Sequence, residues 1–545
     1  MRLSHLDLLF SLRKDSRSLF VFLSLFIVFV AVLVPHLIRL DAIPSGLFID
    51  ESAIGYNAAL IAKTGKDEYG IHLPLFFRSF DDFKAPIYIY TVALFFKTFG
   101  VSPFVLRLTS FFFFATFLIS SYLFVRKLFD GVLVVSVYAL LAASLSPHFF
   151  VLSRLGFEVI SQLALTSLYV PLVYCIFREN SSLLQPGRLR AFLSYSACLV
   201  CGVFLGVSVY SYPTARLLSF IAFFSLWLTL CRRRTVLRLS LISASFAASI
   251  APYLVYARAH GGDLVARFKT VSYLYADSPL LNKLALFCKN YITYFSPDYL
   301  LIKGDPNLRH STGYGGVLFG VTIFLFIVGL LGLFFARRSL LGPCERFLLV
   351  NTLASPAAAA MTSEGTPHAL RAALLSYYVL LISCYGLFFL GAFLRRGTGR
   401  SIVYSSILLV LLVNAAAYQY DYFFRYPKAS AVAMGSAGMV DAIRFSASTH
   451  PRKIDILDYS DPYLYAHVGF YRHSMLGAQG DPPLLLSGLD DIGEPGSCLI
   501  YPKSRLDVIA SLSRPFRQMP EDSSEAFGLS PSRLPRSVFA ARCYS

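Results

Sequence analysis

A chain of 545 residues that is 56% hydrophobic and 15% charged, with a mean hydropathy of +0.61, is a polytopic membrane protein and not a water-soluble core. Its formal net charge of +18 would ordinarily suggest nucleic acid. The arginines and lysines instead sit in short loops beside apolar stretches, where topology and anionic headgroups account for them, so membrane lipids are expected partners and nucleic acid is not.

The first apolar run, 19–38, follows Arg13, Lys14 and Arg17 and lacks a small-residue cleavage site, so it reads as a retained span. Further spans are expected at 103–125, 131–149, 158–177, 192–211, 215–231, 236–257, 316–336, 347–362, 372–394 and 401–418. Five more basic clusters punctuate them: Arg126/Lys127, Arg178/Arg188/Arg190, Arg232–Arg234 with Arg238, Arg337/Arg338/Arg346 and Arg395/Arg396/Arg400. Short basic loops stay cytoplasmic, which predicts eleven spans with the N-terminus inside and the C-terminus outside. The apolar stretch 86–99 would invert this order if it crossed. At 14 residues it is short for a span and reads as an interfacial helix. The fold class is therefore a mostly α polytopic bundle, 1–418, with outer loops at 39–102 and 258–315 and an extracytoplasmic region at 419–545. In that last region KIDILDY and SCLIYPK read as strands and 504–512 as helix, a small α/β domain. Cys498 and Cys543 lie there and can pair in an oxidising compartment. Cys198 and Cys201, a CxxC inside an apolar run, read as small buried residues, and no cysteine spacing suggests a metal.

Chemistry concentrates in the first outer loop. Asp50 precedes an amphipathic helix with Ile54, Ala58 and Ile61 on one face and Gly65 at its end. Asp50 is either an N-cap, with Glu51 complementing the helix dipole, or a carboxylate at the membrane surface whose raised pKa suits it to accept a proton. Asp67, Glu68, Asp81 and Asp82 read as solvated charges. Lys84, just before the interfacial helix, either snorkels or meets a lipid phosphate.

The order DE (50–51), GYNA (55–58), TGKDEYG (64–70), DFKAPIYIY (82–90) and FGVSPFVLRL (99–108) resembles the GT-C superfamily of membrane glycosyltransferases. Within it, the branch of protein O-mannosyltransferases and lipid A aminoarabinose transferases is most similar. SRLGFE (153–158), YSYPTARL (210–217), the segment 290–316 and TSEGTPHALR (362–371) continue the likeness, which covers roughly 45–372. The resemblance implies inverting transfer of a sugar from a polyprenyl-phosphate donor to a glycolipid, polysaccharide or protein acceptor at the outer face. It implies Asp50 as the catalytic carboxylate, Glu51 as its neighbour in the motif, Glu158 as a second acid, and Lys84 on the carrier phosphate. Where the aminoarabinose branch has arginine three positions after its first aspartate, this chain has Ala53, a departure that bears on the acceptor.

The leaving phosphate is stable as an anion, so one base and directed positive charge suffice, without a general acid. Arg154, Arg216, Lys303, Arg309, His310 and Arg371 join Lys84 as candidate phosphate ligands near the outer ends of spans. Each has a structural alternative: Arg154 and Glu158 are spaced for a helical ion pair, Asp305-Pro306-Asn307 forms a turn before Arg309 and His310, and His368 and Arg371 can anchor a span at the interface. His148, near a span end, reads as packed. Clustered carboxylates can hold a divalent ion, but no spacing imposes one, and no cofactor is expected. The compact loops suggest a bacterial inner membrane. The alternative function is a transporter or flippase of lipid-linked sugars, which would place charges near the bilayer midplane.

Overall fold

The computed structural model describes residues 16–80, 82–178, 188–335, 341–394, 397–457, 463–475, 484–487, 494–502, 516–518 and 539–544. Each of the eleven segments expected to span contains helix. Six helices among the described residues are long and apolar enough to cross a membrane: Pro103–Leu128, Val159–Phe177, Leu189–Tyr210, Val236–Leu264, Leu370–Phe393 and Thr398–Met434. Shorter apolar helices, including Leu133–Leu145, Ala215–Leu230 and Gly320–Phe335, pack among them. The molecule is a multi-pass membrane protein dominated by helix.

The ends of these elements follow local rules. Pro103 occupies the first turn of its helix, and the Ser102 hydroxyl accepts the Val105 N–H at 3.2 Å. Where helices must touch closely, glycine removes the side chain. A Cβ on Gly386 would lie 1.9 Å from the Leu325 carbonyl oxygen, and one on Gly329 2.2 Å from that of Ile382, so helices Gly320–Phe335 and Ala373–Phe393 meet backbone to backbone. The stretch Pro86–Phe99 is a 14-residue helix burying Tyr88, Ile89, Val92 and Phe96.

In the C-terminal region the two expected strands form, as Lys453–Leu457 and Ser497–Pro502. They are neighbours in a five-stranded sheet ordered Leu484–Ser487, Lys453–Leu457, Ser497–Pro502, Phe539–Tyr544, Phe516–Gln518. The first three strands run parallel and the last two pairings are antiparallel. A disulfide joins Cys498 to Cys543 across adjacent strands. Cys198 and Cys201 are free and fully buried. The helix expected at 504–512 lies outside the described residues, as do Arg13, Lys14, Asp81, Arg337, Arg338, Arg395 and Arg396.

Candidate active site

One end of several helices converges on a cavity of about 580 Å³. Into it project four carboxylates (Asp50, Asp82, Glu158, Glu364), five cations (Lys84, Arg216, Arg267, Arg309, Arg371), His310 and His368. Phe48, Phe157, Tyr212, Tyr253 and Phe268 are among the residues that line the remainder, giving apolar walls with convergent charge.

The Asp50 helix spans Ile49–Thr64 with Phe48 at the N-cap, and Gly65, at φ 70°, ends it by donating its N–H to Ile61. Asp50 is thus a first-turn residue and not the N-cap, which leaves its carboxylate free for the cavity. Lys84 closes a two-stranded hairpin, opposite Phe77. Its Nζ lies 2.5 Å from Asp50 Oδ1, with Lys84 5% and Asp50 40% exposed. Burial pushes the Asp50 carboxyl upward, but the Lys84 ammonium, helped by Arg309 and Arg267, outweighs it and holds Asp50 below the ordinary aspartate range. The raised pKa expected for Asp50 is therefore corrected by its ion pair.

The raised carboxyl is Glu158. Buried at the entry to helix Val159–Phe177, it accepts the Ala85 N–H at 2.7 Å. Desolvation pushes its pKa up to about 7; Lys84 opposes this, while Asp82 and Asp50 add to it. Lys84 is raised in turn, because the Asp50, Glu158 and Asp82 carboxylates outweigh its burial, and it remains an ammonium.

Glu51 is corrected from the catalytic set. It is fully buried against Arg107, with Oε1 2.9 Å from Nε and Oε2 3.1 Å from an η nitrogen, and it also accepts the N–H groups of Phe48 and Gly156. The other Arg107 donors go to the carbonyls of Leu40, Pro44 and Gly46. Arg107 stood inside the RL of the resembling pattern, yet nothing local distinguished it from an interfacial arginine. Arg154 is also corrected. Fully buried away from the cavity, it donates to the carbonyls of Pro35, Ile38, Arg39 and Ile43 and to the Tyr422 hydroxyl, and so caps the end of the first helix instead of pairing with Glu158. Lys303, 73% exposed, pairs with Asp298 at 2.8 Å outside the cavity lining.

Arg216, Arg309, His310 and Arg371 all line the cavity. Arg216 donates to the carbonyls of Leu264 and Phe83. Arg309 lies over the Phe48 ring, 4.3 Å from its centroid. Arg371 reaches Thr362 and Glu364, and Glu364 also meets Arg267 at 3.0 Å. Arg267 and Glu364 were not singled out from sequence, because neither the loop 258–315 nor the short segment between the spans expected at 347–362 and 372–394 carries a period that marks its charged residues. Asp82, read as solvated, faces the cavity; Asp67 is buried, accepting the N–H groups of Tyr69 and Ile71, and Glu68 bonds Asn57 and Ser79. His148 is packed, with Nδ1 2.8 Å from the Ser376 hydroxyl.

Asp305, His310 and His368 place three ligand atoms within 4.8 Å of one another. A carboxylate and two imidazoles would suit Zn²⁺. The two rings stack at 4.5 Å with planes 25° apart. Asp305 Oδ2 lies 2.9 Å from His310 Nδ1 and accepts the Ala369 N–H at 2.7 Å. His368, buried beside His310, Arg371 and Arg309, is held well below its usual pKa and is neutral.

No protein-family model matches the chain, and no curated protein sequence matches it. Solved structures do. Crystal structures of ArnT from Cupriavidus metallidurans, bound to undecaprenyl phosphate and in the apo state, superpose with TM-scores of 0.51 and 0.52 at 13% and 12% identity. Each alignment covers 95% of this chain and 98% of ArnT. The chain has the GT-C fold. The Archaeoglobus fulgidus oligosaccharyltransferase in complex with Zn and sulfate also aligns, at a TM-score of 0.48 and 13% identity over 88% of this chain and 68% of its own. In this fold, Asp50, Lys84 and Glu158 come together from separate sequence segments at one cavity.

Proposed function

We propose that the protein is an inverting glycosyltransferase that moves a sugar from a polyprenyl-phosphate donor to an acceptor hydroxyl or amine at the outer membrane face. The observation that carries this reading is the Asp50–Lys84 pair inside a cavity lined by four further cations. Such a cavity suits an anionic phosphate that must leave, and it holds a carboxylate for the proton that the nucleophile must lose. The acceptor oxygen or nitrogen attacks the anomeric carbon, its proton passes to Asp50, and the bond from that carbon to the phosphate oxygen breaks. Negative charge grows on the departing phosphate, where Lys84 and Arg309, with Arg216 and Arg371 at the wall, stabilise it. Lys84 couples the two halves: a donor phosphate that shares its ammonium weakens its hold on Asp50 and makes the carboxylate a stronger base.

Eleven crossings with the N-terminus inside fit this reading. Ala85 and Glu158 are hydrogen-bonded, with helices Pro103–Leu128 and Leu133–Leu145 between them in the chain, which supports reading those two as a pair of crossings and Pro86–Phe99 as an interfacial helix. The charged groups gather at one end of the bundle, as surface chemistry requires and midplane translocation does not. ArnT is a structure bound to undecaprenyl phosphate, and the same carrier class is the donor proposed here. A bacterial inner membrane is the proposed location.

The test is a transfer assay in proteoliposomes with a panel of polyprenyl-phosphate monosaccharides, comparing parent and Asp50→Asn. Loss of transfer by about 100-fold or more with carrier binding retained is expected. Full activity of Asp50→Asn would overturn the assignment.

A further inference from the structure

The helix that carries Asp50 has two working faces. At 100° per residue, Asp50 and Ile54 point into the cavity while Ser52, Gly55 and Tyr56 fall on the opposite side. Against that far side lies helix Leu464–Met475 from the C-terminal region.

The two helices are fitted by exchange. Ser52 Oγ lies 2.7 Å from His467 Nδ1, both buried. Gly55 makes room for Phe470, whose ring would be 2.6 Å from a Cβ there, and Gly469 makes room for Tyr56, whose ring would be 2.8 Å from its own Cβ. Each helix thus supplies a glycine under an aromatic ring of the other, a complementarity that fixes both rotation and axial register. The same segment reaches the other member of the pair. Tyr463 and Tyr465 hold the Phe80 ring edge-on at 5.0 and 5.6 Å, and Lys84 Nζ lies 5.8 Å from the centroid of Phe80. Upstream, the Ser436 hydroxyl bonds both the N–H and the carbonyl of Leu47, three residues before Asp50.

We infer that helix Leu464–Met475 is a positioning element for the Asp50–Lys84 pair, with His467, Gly469 and Phe470 as its positioning residues. The inference rests on the reading of that pair as the catalytic centre. The bundle supplies the cavity, and the C-terminal region sets the angle at which Asp50 and Lys84 enter it. Larger side chains at the glycine positions rotate or shift the Asp50 helix without touching a lining residue. Such a displacement lowers turnover more than carrier binding, because the reacting geometry is steeper in distance than phosphate attraction.

The test uses full-length protein in nanodiscs with two readouts: turnover against carrier affinity, and amide hydrogen exchange across residues 49–64. Gly469→Leu is expected to raise exchange in 49–64 alone and to lower turnover by about 10- to 100-fold at near-parent carrier affinity. Tyr56→Ala in the same chain, which removes the clashing ring, is expected to restore part of both. If Gly469→Leu does not fold, His467→Ala and His467→Asn decide. The first loses the bond to Ser52 and slows turnover, and the second, whose amide oxygen sits near the Nδ1 position, restores it. Parent-like exchange and turnover in both Gly469→Leu and His467→Ala would overturn the inference. A parent that transfers no sugar would instead overturn the proposed function, while the exchange readout would still report whether the C-terminal helix holds residues 49–64.

Discussion

The backbone N–H of Ala85 donates to the Glu158 carboxylate at 2.7 Å, joining residues 73 apart in sequence. This bond ties the hairpin that ends in Lys84 to the start of a buried helix. It places a carboxyl that titrates near neutrality beside the cation most closely engaged with Asp50.

A pH effect follows, with a definite sign. The Glu158 pKa is raised from 4.5 to about 7 in the folded state, so the native protein holds a proton that the unfolded chain releases. Stability is therefore lost as pH rises from the unfolded value through about 7, by up to about 3 kcal/mol at 1.36 kcal/mol per unit. Ionised Glu158 also competes with a donor phosphate for Lys84, so donor affinity should weaken over the same range. Titration of donor binding between pH 5 and pH 9, with a sugar-linked phosphodiester that has no second ionisation of its own, should show an inflection near neutrality that Glu158→Gln abolishes.

Lys84→Ala should weaken carrier binding by about 10- to 100-fold, the range for a charge-assisted bond to phosphate. Lys84→Arg should recover only part, because the short reach between Asp50 and the cavity suits a point charge. Equilibrium binding of a short-chain polyprenyl phosphate measures both.

Arg107→Ala should leave Glu51 buried without a partner and cost about 3–5 kcal/mol of stability. Lys303→Ala, at an exposed pair, should change stability by less than about 0.5 kcal/mol and leave transfer intact. Thermal denaturation in detergent, followed by the transfer assay, separates the two.

The disulfide between Cys498 and Cys543 closes 45 residues and should contribute about 2–4 kcal/mol to the C-terminal sheet. Peptide mapping without reductant should recover the linked pair, and Cys498→Ala should lower the protease resistance of that region.

A cysteine placed at position 50 in a cysteine-free background should react with impermeant reagents added from outside intact cells or spheroplasts. Reaction only from the cytosolic side would overturn the proposed orientation.

Much of the architecture was legible before the structure. Apolar length and basic loops marked the helices because a bilayer imposes one dimension on every crossing. The place between two expected spans marked the loop 39–102, the resemblance singled out Asp50 and Lys84 within it, and the strands at 453 and 497 followed from their β-rich composition. Side-chain roles were less legible. Arg154 and Arg216 read alike in sequence, yet one caps a helix in the interior and the other faces the cavity. Glu51 and Asp50 are adjacent, and one helical step turns one into the core and the other toward the cavity.

The sequence by itself determined that the protein lives in a membrane, that Asp50 stands at the start of a helix ended by Gly65, and that Lys84 precedes the apolar stretch 86–99. Those properties come from composition and local periodicity. The tertiary structure alone decided which charges converge, that Lys84 lowers Asp50 while burial raises Glu158, and that a helix more than 400 residues downstream rests on the Asp50 helix. Charge interactions depend on separation in space and on exclusion of water, and neither is written in the spacing of residues along the chain.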